Sequence, residues 1–86
     1  MMSVIYKFPL RVTDEQTINM PTGAKILSVQ FQNDQLCVWA RIDNEYFKSK
    51  RTFLIVGTGH RFPDDGRQYI GTVQQGPFVW HVFEEI

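Results

Sequence analysis

The segment GTGHRFPDDG, residues 57–66, brings together side chains that could bind an anion or move a proton. Arginine can hold a phosphate through two parallel hydrogen bonds, histidine titrates near neutral pH, and a carboxylate can orient a histidine. Two glycines also allow a ligand to approach the backbone closely. The segment therefore predicts a site for an anionic small molecule, formed by Thr58, His60, Arg61, Asp64 and Arg67.

Two other interpretations of the same segment stay open. The first is a plain turn, in which Asp64-Asp65-Gly66 reverses the chain and Arg61 or Arg67 pairs with an aspartate. The second is a small phosphodiester or nucleotide hydrolase, with His60 as acid or base and Asp64 or Asp65 orienting it. Neither the Walker pattern nor the dinucleotide-binding glycine pattern is present, so a nucleotide-binding fold of those types is excluded.

Other chemistry finds little support in the sequence. Two histidines and one cysteine, without close spacing, cannot build the usual four-ligand zinc site, so no metal is expected and no cofactor is implied. A G-x-S-x-G nucleophile motif is absent. Cys37 lies between Leu36 and Val38 and is expected to be a buried apolar group. His81, in an apolar strand pattern, is expected to be half-buried and hydrogen-bonded.

The elements that must position these residues are strands, because apolar and polar residues alternate along most of the chain. The pattern predicts an all-β fold, a small antiparallel sandwich or barrel of about seven short strands, forming one domain over residues 1–86. The clearest hairpin is KILSVQFQN followed by LCVWARID, with a tight turn at residues 33–35. RTFLIVG, apolar on consecutive positions, predicts a central strand covered on both faces.

Several side chains are assigned a face by this alternation. In the first strand, SVIYKFPLRV, every second residue is expected on the inner face, and Pro9 places that strand at a sheet edge. The residues of this set are Val4, Tyr6, Phe8, Leu10 and Val12. Leu27 is expected to point inward. Core packing is also expected for Trp39 and Trp80, because both lie in apolar alternating strands.

Charge and apolar surface predict the partners. Nine basic and nine acidic residues give a net charge of zero, which argues against nucleic acid and anionic membranes as partners. The N-terminus resembles no signal peptide and no segment is apolar enough to cross a membrane, so a cytoplasmic location is expected. Apolar residues on both faces of several strands predict a homo-oligomer, the alternative being a sandwich that packs them internally. Tyr46 and Phe47, in a charged connector, are the expected interface anchors.

Three segments, MPTGAKIL, GTGH and VWHVFE, carry a family resemblance. With these segments the whole chain resembles a family of short uncharacterised proteins found in bacteriophages, prophages and bacterial genomes. The resemblance implies a small phage-type accessory protein. Its expected role is to counter host defence, either by sequestering a nucleotide-like signal or by blocking a host defence protein.

Overall fold

The computed structural model describes residues 2–86 and contains seven strands, as the alternation predicts. They are β1 (Val4–Pro9), β2 (Glu15–Pro21), β3 (Lys25–Gln32), β4 (Gln35–Ile42), β5 (Lys48–Gly57), β6 (Arg67–Gln75) and β7 (Phe78–Glu85). No helix of this part of the chain is long and apolar enough to cross a membrane. The predicted all-β fold is confirmed.

All strand pairings are antiparallel, and they build two sheets. The three-stranded sheet has the order β1-β4-β3, and the four-stranded sheet has the order β2-β5-β7-β6. Pro9 lies on the edge strand β1, as predicted, where its missing N–H leaves no gap inside a ladder. β5 is interior, and Phe53 to Val56 are all buried, which confirms the prediction of a strand covered on both faces.

Two hairpins follow from turn chemistry. Asn33 and Asp34 both adopt positive φ, 51° and 64°, which matches a two-residue turn whose twist fits the right-handed twist of β3 and β4. Gly76, with φ of 54°, provides the corresponding turn between β6 and β7. The predicted hairpins at both places are confirmed.

The core lies between the two sheets. Its buried side chains come from β4, β5 and β7, with contributions from the other strands and from Leu10. The sheets approach most closely where β3 meets β6, since a Cβ atom added to Gly71 would lie 2.8 Å from Cγ1 of Val29. One ion pair joins the strands at the rim of this core: Arg51 makes two hydrogen bonds to the carboxylate of Glu84 and a third to the carbonyl of Ala24. The hydrogen bond to Glu84 raises the pKa of Arg51, so the guanidinium stays charged.

Four predicted orientations are wrong. Tyr6, in the set expected on the inner face, is 42% exposed and donates a hydrogen bond to Glu45. Leu27 is 48% exposed, because a β-bulge between Ile26 and Ser28 inserts it as an extra residue of β3. Ile26 points toward the core in its place. Trp39 is only partly buried and lies on the outward face of the three-stranded sheet, because its neighbour Val38 takes the inward position. Val12 is exposed, because β1 ends at Pro9. Trp80, in contrast, packs against the core, and Cys37 is buried, as predicted.

Candidate functional site

The loop of residues 58–66 leaves β5 and folds back toward the outward face of the four-stranded sheet. The amide of Thr58 still donates to the carbonyl of Val79, and the amide of His60 then closes a turn onto Gly57. Gly59 and Gly66 adopt positive φ of 89° and 68°, which other residues reach only with strain. At its far end the loop is held by the amide of Ile86, which donates to Gly66 at 2.8 Å.

The folded loop creates a groove of about 520 Å³, hereafter the outer groove. Its floor is formed by Leu54 and Val56, which face away from the core yet are buried because the loop covers them. Phe62 anchors the loop by packing on Phe83 of β7, with ring centroids 4.8 Å apart. The groove is therefore apolar at its base and has one aromatic wall.

Charged residues line both sides of the outer groove. His60 and Arg61 belong to the loop, whereas Asp14 and Glu15 come from the start of β2. Since β5 lies between β2 and β7, and the loop is anchored on β7 by Phe62, the basic and acidic groups border the floor from opposite sides. Both His60 and Arg61 are exposed, and neither side chain makes a hydrogen bond or ion pair within residues 2–86.

The first glycine of the loop serves the protein's own packing. A Cβ atom at Gly57 would lie 3.1 Å from Nδ1 of His60 and 3.2 Å from Cζ3 of Trp80. The space that the glycine frees is thus filled by the His60 ring and the Trp80 ring. The glycine at position 57 thus allows the His60 ring to lie close to the end of β5.

A chain of hydrogen bonds runs beside the outer groove on the outward face. Nε2 of His81 lies 2.8 Å from the Thr58 hydroxyl, and Nδ1 lies 3.0 Å from the Thr72 hydroxyl. The Thr72 hydroxyl in turn lies 2.6 Å from the Tyr69 hydroxyl. His81 is partly buried, so the prediction of a half-buried, hydrogen-bonded histidine is confirmed. The hydrogen bond between Thr58 and His81 occupies the Thr58 hydroxyl and holds the start of the loop on β7.

The remaining predicted ligand residues have other surroundings. Arg67 lies 3.7 Å from the Glu85 carboxylate and donates to the Asp65 carbonyl at 3.2 Å. Asp64 and Asp65 are exposed and do not line the outer groove. Among residues 2–86, no hydrogen bond joins either aspartate to His60, and no group of three or more potential metal ligands occurs. Two of the five predicted residues, His60 and Arg61, therefore lie together at a groove.

Other residues of the groove were not found from the sequence. Asp14 and Glu15 are about forty residues from the loop, and only the pairing of Glu15 with Leu54 brings them to it. Phe62 belongs to the segment 57–66, but no local pattern indicates that it packs on Phe83. The expected interface anchors Tyr46 and Phe47 are 90% and 69% exposed, in the connector between the two sheets.

Comparison with known proteins identifies a family and no activity. No curated protein and no solved structure matches the chain at a significant level. Over residues 1–86 the sequence matches the profile of a domain of unknown function, DUF7352. Since the match spans the full sequence, the chain belongs to the DUF7352 family.

Proposed function

We propose that this protein is a binding module that holds a nucleotide-like anionic ligand in the outer groove. The observation that carries the proposal is the composition of this groove: an apolar floor, one aromatic wall, and unpaired basic groups facing carboxylates across the floor. Its volume of about 520 Å³ is in the range of small-ligand sites.

The two charged sides fit the two ends of a nucleotide. A phosphate would bind to Arg61, which can fork two hydrogen bonds onto it, with His60 beside it. The amino groups of a base can donate hydrogen bonds to Asp14 or Glu15, while its ring packs over Leu54 and against Phe62. A simple anion such as phosphate would meet the carboxylates without any compensating donor, so it should bind more weakly than a nucleotide.

The surroundings of His60 and His81 favour binding of a ligand over its hydrolysis. His60 has no carboxylate bonded to it, and His81 has both ring nitrogens occupied by hydroxyl groups. The hydrolase alternative, with His60 assisted by Asp64 or Asp65, would require the loop to rearrange. Hydrolysis of the nucleotide is therefore the alternative result of the experiment described below.

The biological role we propose is sequestration of a nucleotide signal in the cytoplasm of a host cell, as the family resemblance implies for a phage-type accessory protein. Blocking a host defence protein through the exposed Tyr46 and Phe47 is the competing role. We also propose that the protein is a homo-oligomer that associates through the four-stranded sheet, because Tyr69 and Phe78 are each 57% exposed. Native mass measurement tests that part independently of any ligand.

A thermal-shift panel tests the ligand. A nucleotide at about ten times its Kd adds about 1.4 kcal/mol to the free energy of unfolding, which raises the Tm of a chain this size by roughly 6–11 °C. Arg61→Gln should weaken nucleotide binding about tenfold, since it removes one charge-assisted hydrogen-bond pair. Arg11→Gln, which changes an exposed arginine that does not line the groove, is the matched control and should leave affinity unchanged.

The same samples separate binding from catalysis. A binding module releases the nucleotide chemically intact after heating, as measured by chromatography. A hydrolase returns a changed product, and His60→Ala abolishes that change while retaining affinity. If no nucleotide raises the Tm, or if Arg61→Gln and Arg11→Gln behave alike, the outer groove is not the site.

A further inference from the structure

The outward face of the three-stranded sheet has a composition unlike the rest of the surface. By register, its central strand β4 presents Trp39 and Arg41 outward, and the edge strand β1 presents Ile5 and Lys7 beside them. On the other side, β3 contributes Lys25, Ser28, Gln30 and Gln32. We call these eight residues the cationic face. Ser28, Gln30 and Trp39 together border a shallow depression.

Charge on this face has one sign. β1, β3 and β4 contain Lys7, Lys25 and Arg41 and not one aspartate or glutamate. The nine acidic residues that balance the chain all lie in the four-stranded sheet or in connecting segments. Net charge averages over the whole surface, so a neutral chain can carry three basic and no acidic residues on these strands. The acidic residue nearest to Arg41 in sequence is Asp43, which follows the end of β4 and accepts a hydrogen bond from Ser3.

Hydrogen-bonding groups surround the tryptophan. The amide of Gln30 donates to the Ser28 hydroxyl at 3.0 Å, and the Lys7 ammonium donates to the Gln32 amide oxygen at 2.7 Å. These exposed groups retain further donors and acceptors. Trp39 is thus framed by amide, hydroxyl and ammonium groups, and the exposed aliphatic side chains of the same sheet are Ile5 on β1 and Leu27 at the bulge of β3.

We infer that the cationic face binds single-stranded nucleic acid. Lysine and arginine would neutralise phosphates, Trp39 would stack on a base, and the glutamines and serine would bond to base edges. A second copy is disfavoured, because two-fold packing of this face would bring like charges together. A membrane surface is disfavoured because the exposed aliphatic side chains of the sheet, Ile5 and Leu27, lie on the two edge strands with β4 between them and form no continuous apolar face. The earlier expectation against nucleic acid depended on net charge, which this distribution does not follow.

Fluorescence anisotropy with labelled oligothymidylate and oligouridylate of about 15 nucleotides tests the inference. We expect binding of both, with a slope of log K against log salt near −2, since three cations contact a single strand. Lys7→Gln and Arg41→Gln, both at exposed positions, should each weaken binding several-fold and flatten the slope. Trp39→Leu should weaken it about tenfold, and strand binding should quench the fluorescence of Trp39.

Arg61→Gln is the control, because it alters the outer groove and leaves the cationic face intact. The inference fails if no binding is seen at about 200 µM protein in low salt, or if Lys7→Gln and Arg41→Gln bind like the parent. It also fails if Arg61→Gln alone abolishes binding, which would assign the strand to the outer groove. Two further results would overturn it: anionic vesicles bound through Lys7 and Arg41 with no oligonucleotide bound, or a dimer that Trp39→Leu dissociates.

Discussion

The closest approach of the two sheets predicts the effect of one added methyl group at Gly71. A Cβ atom there would lie 2.8 Å from Cγ1 of Val29, whereas ordinary Cβ contacts begin at 3.4 Å, so one of the two strands must shift by several tenths of an ångström. Overpacking of this kind costs about 1–3 kcal/mol, and alanine recovers about 0.5–1 kcal/mol relative to glycine in a strand. Gly71→Ala should therefore lose about 1–2 kcal/mol and lower the Tm by roughly 5–15 °C.

A double-mutant cycle with Val29→Ala isolates this contact. Val29→Ala alone removes two buried carbons and should cost about 1.6 kcal/mol. In the double variant the new methyl group enters the space that valine vacates, so the combined loss should fall short of the summed single losses by at least about 1 kcal/mol. Denaturant unfolding followed by tryptophan fluorescence measures all four proteins. Additivity within about 0.5 kcal/mol, or a Gly71→Ala variant as stable as the parent, would refute the proposed packing of β3 against β6.

Three further predictions concern side chains away from this contact. Glu84→Gln leaves the Arg51 guanidinium beside a neutral amide and should cost about 2–3 kcal/mol on denaturant unfolding, because Glu84 is buried. Glu85→Gln should cost less than about 0.5 kcal/mol, because the Glu85 side chain is 46% exposed and lies 3.7 Å from Arg67; equal losses would contradict the assignment. Cys37, the only cysteine, should resist a thiol reagent in the folded protein and react fully after unfolding, and rapid native labelling would show that it is not buried. The hydrogen bond from Tyr6 to Glu45 raises the pKa of Tyr6, because only the protonated phenol can donate it. The bond is therefore fully formed at pH values below the ordinary phenol pKa and is lost as pH rises through the raised pKa. Glu45→Gln should return that titration to lower pH in ultraviolet absorbance, and an unchanged curve would exclude the contact.

Strands and hairpins could be predicted because their causes are local. Alternation of apolar residues and the turn chemistry of Asn33-Asp34 act between near neighbours in sequence, so they indicate β3 and β4 directly. The bulge at Leu27 could not be predicted, because it depends on how β3 pairs with β4, and one inserted residue reverses the faces that follow. Trp39 was misassigned for a related reason: alternation separates two faces, and where both carry apolar residues it does not say which one is inner.

The residues of the candidate site likewise fall into those that the sequence predicted and those that it did not. His60 and Arg61 were found because polar residues and glycines gather in one loop. Asp14 and Glu15 were missed because only the register of β2 on β5 brings them to that loop. The cationic face was missed because it is a property of three strands that share a sheet, and its charges are far apart in sequence.

The strand order has a consequence for how the chain reaches this structure. Among the strands that pair with each other, only β3–β4 and β6–β7 are joined by short turns, whereas β1 must find β4 and β2 must find β5 across long intervening segments. Closing such long loops costs entropy before any contact repays it, so folding should be slow for the chain's size and should start from the two hairpins. The first two strands to be synthesised are therefore the last to dock. Until they do, β4 and β5 each expose an unpaired edge that a neighbouring nascent chain could capture.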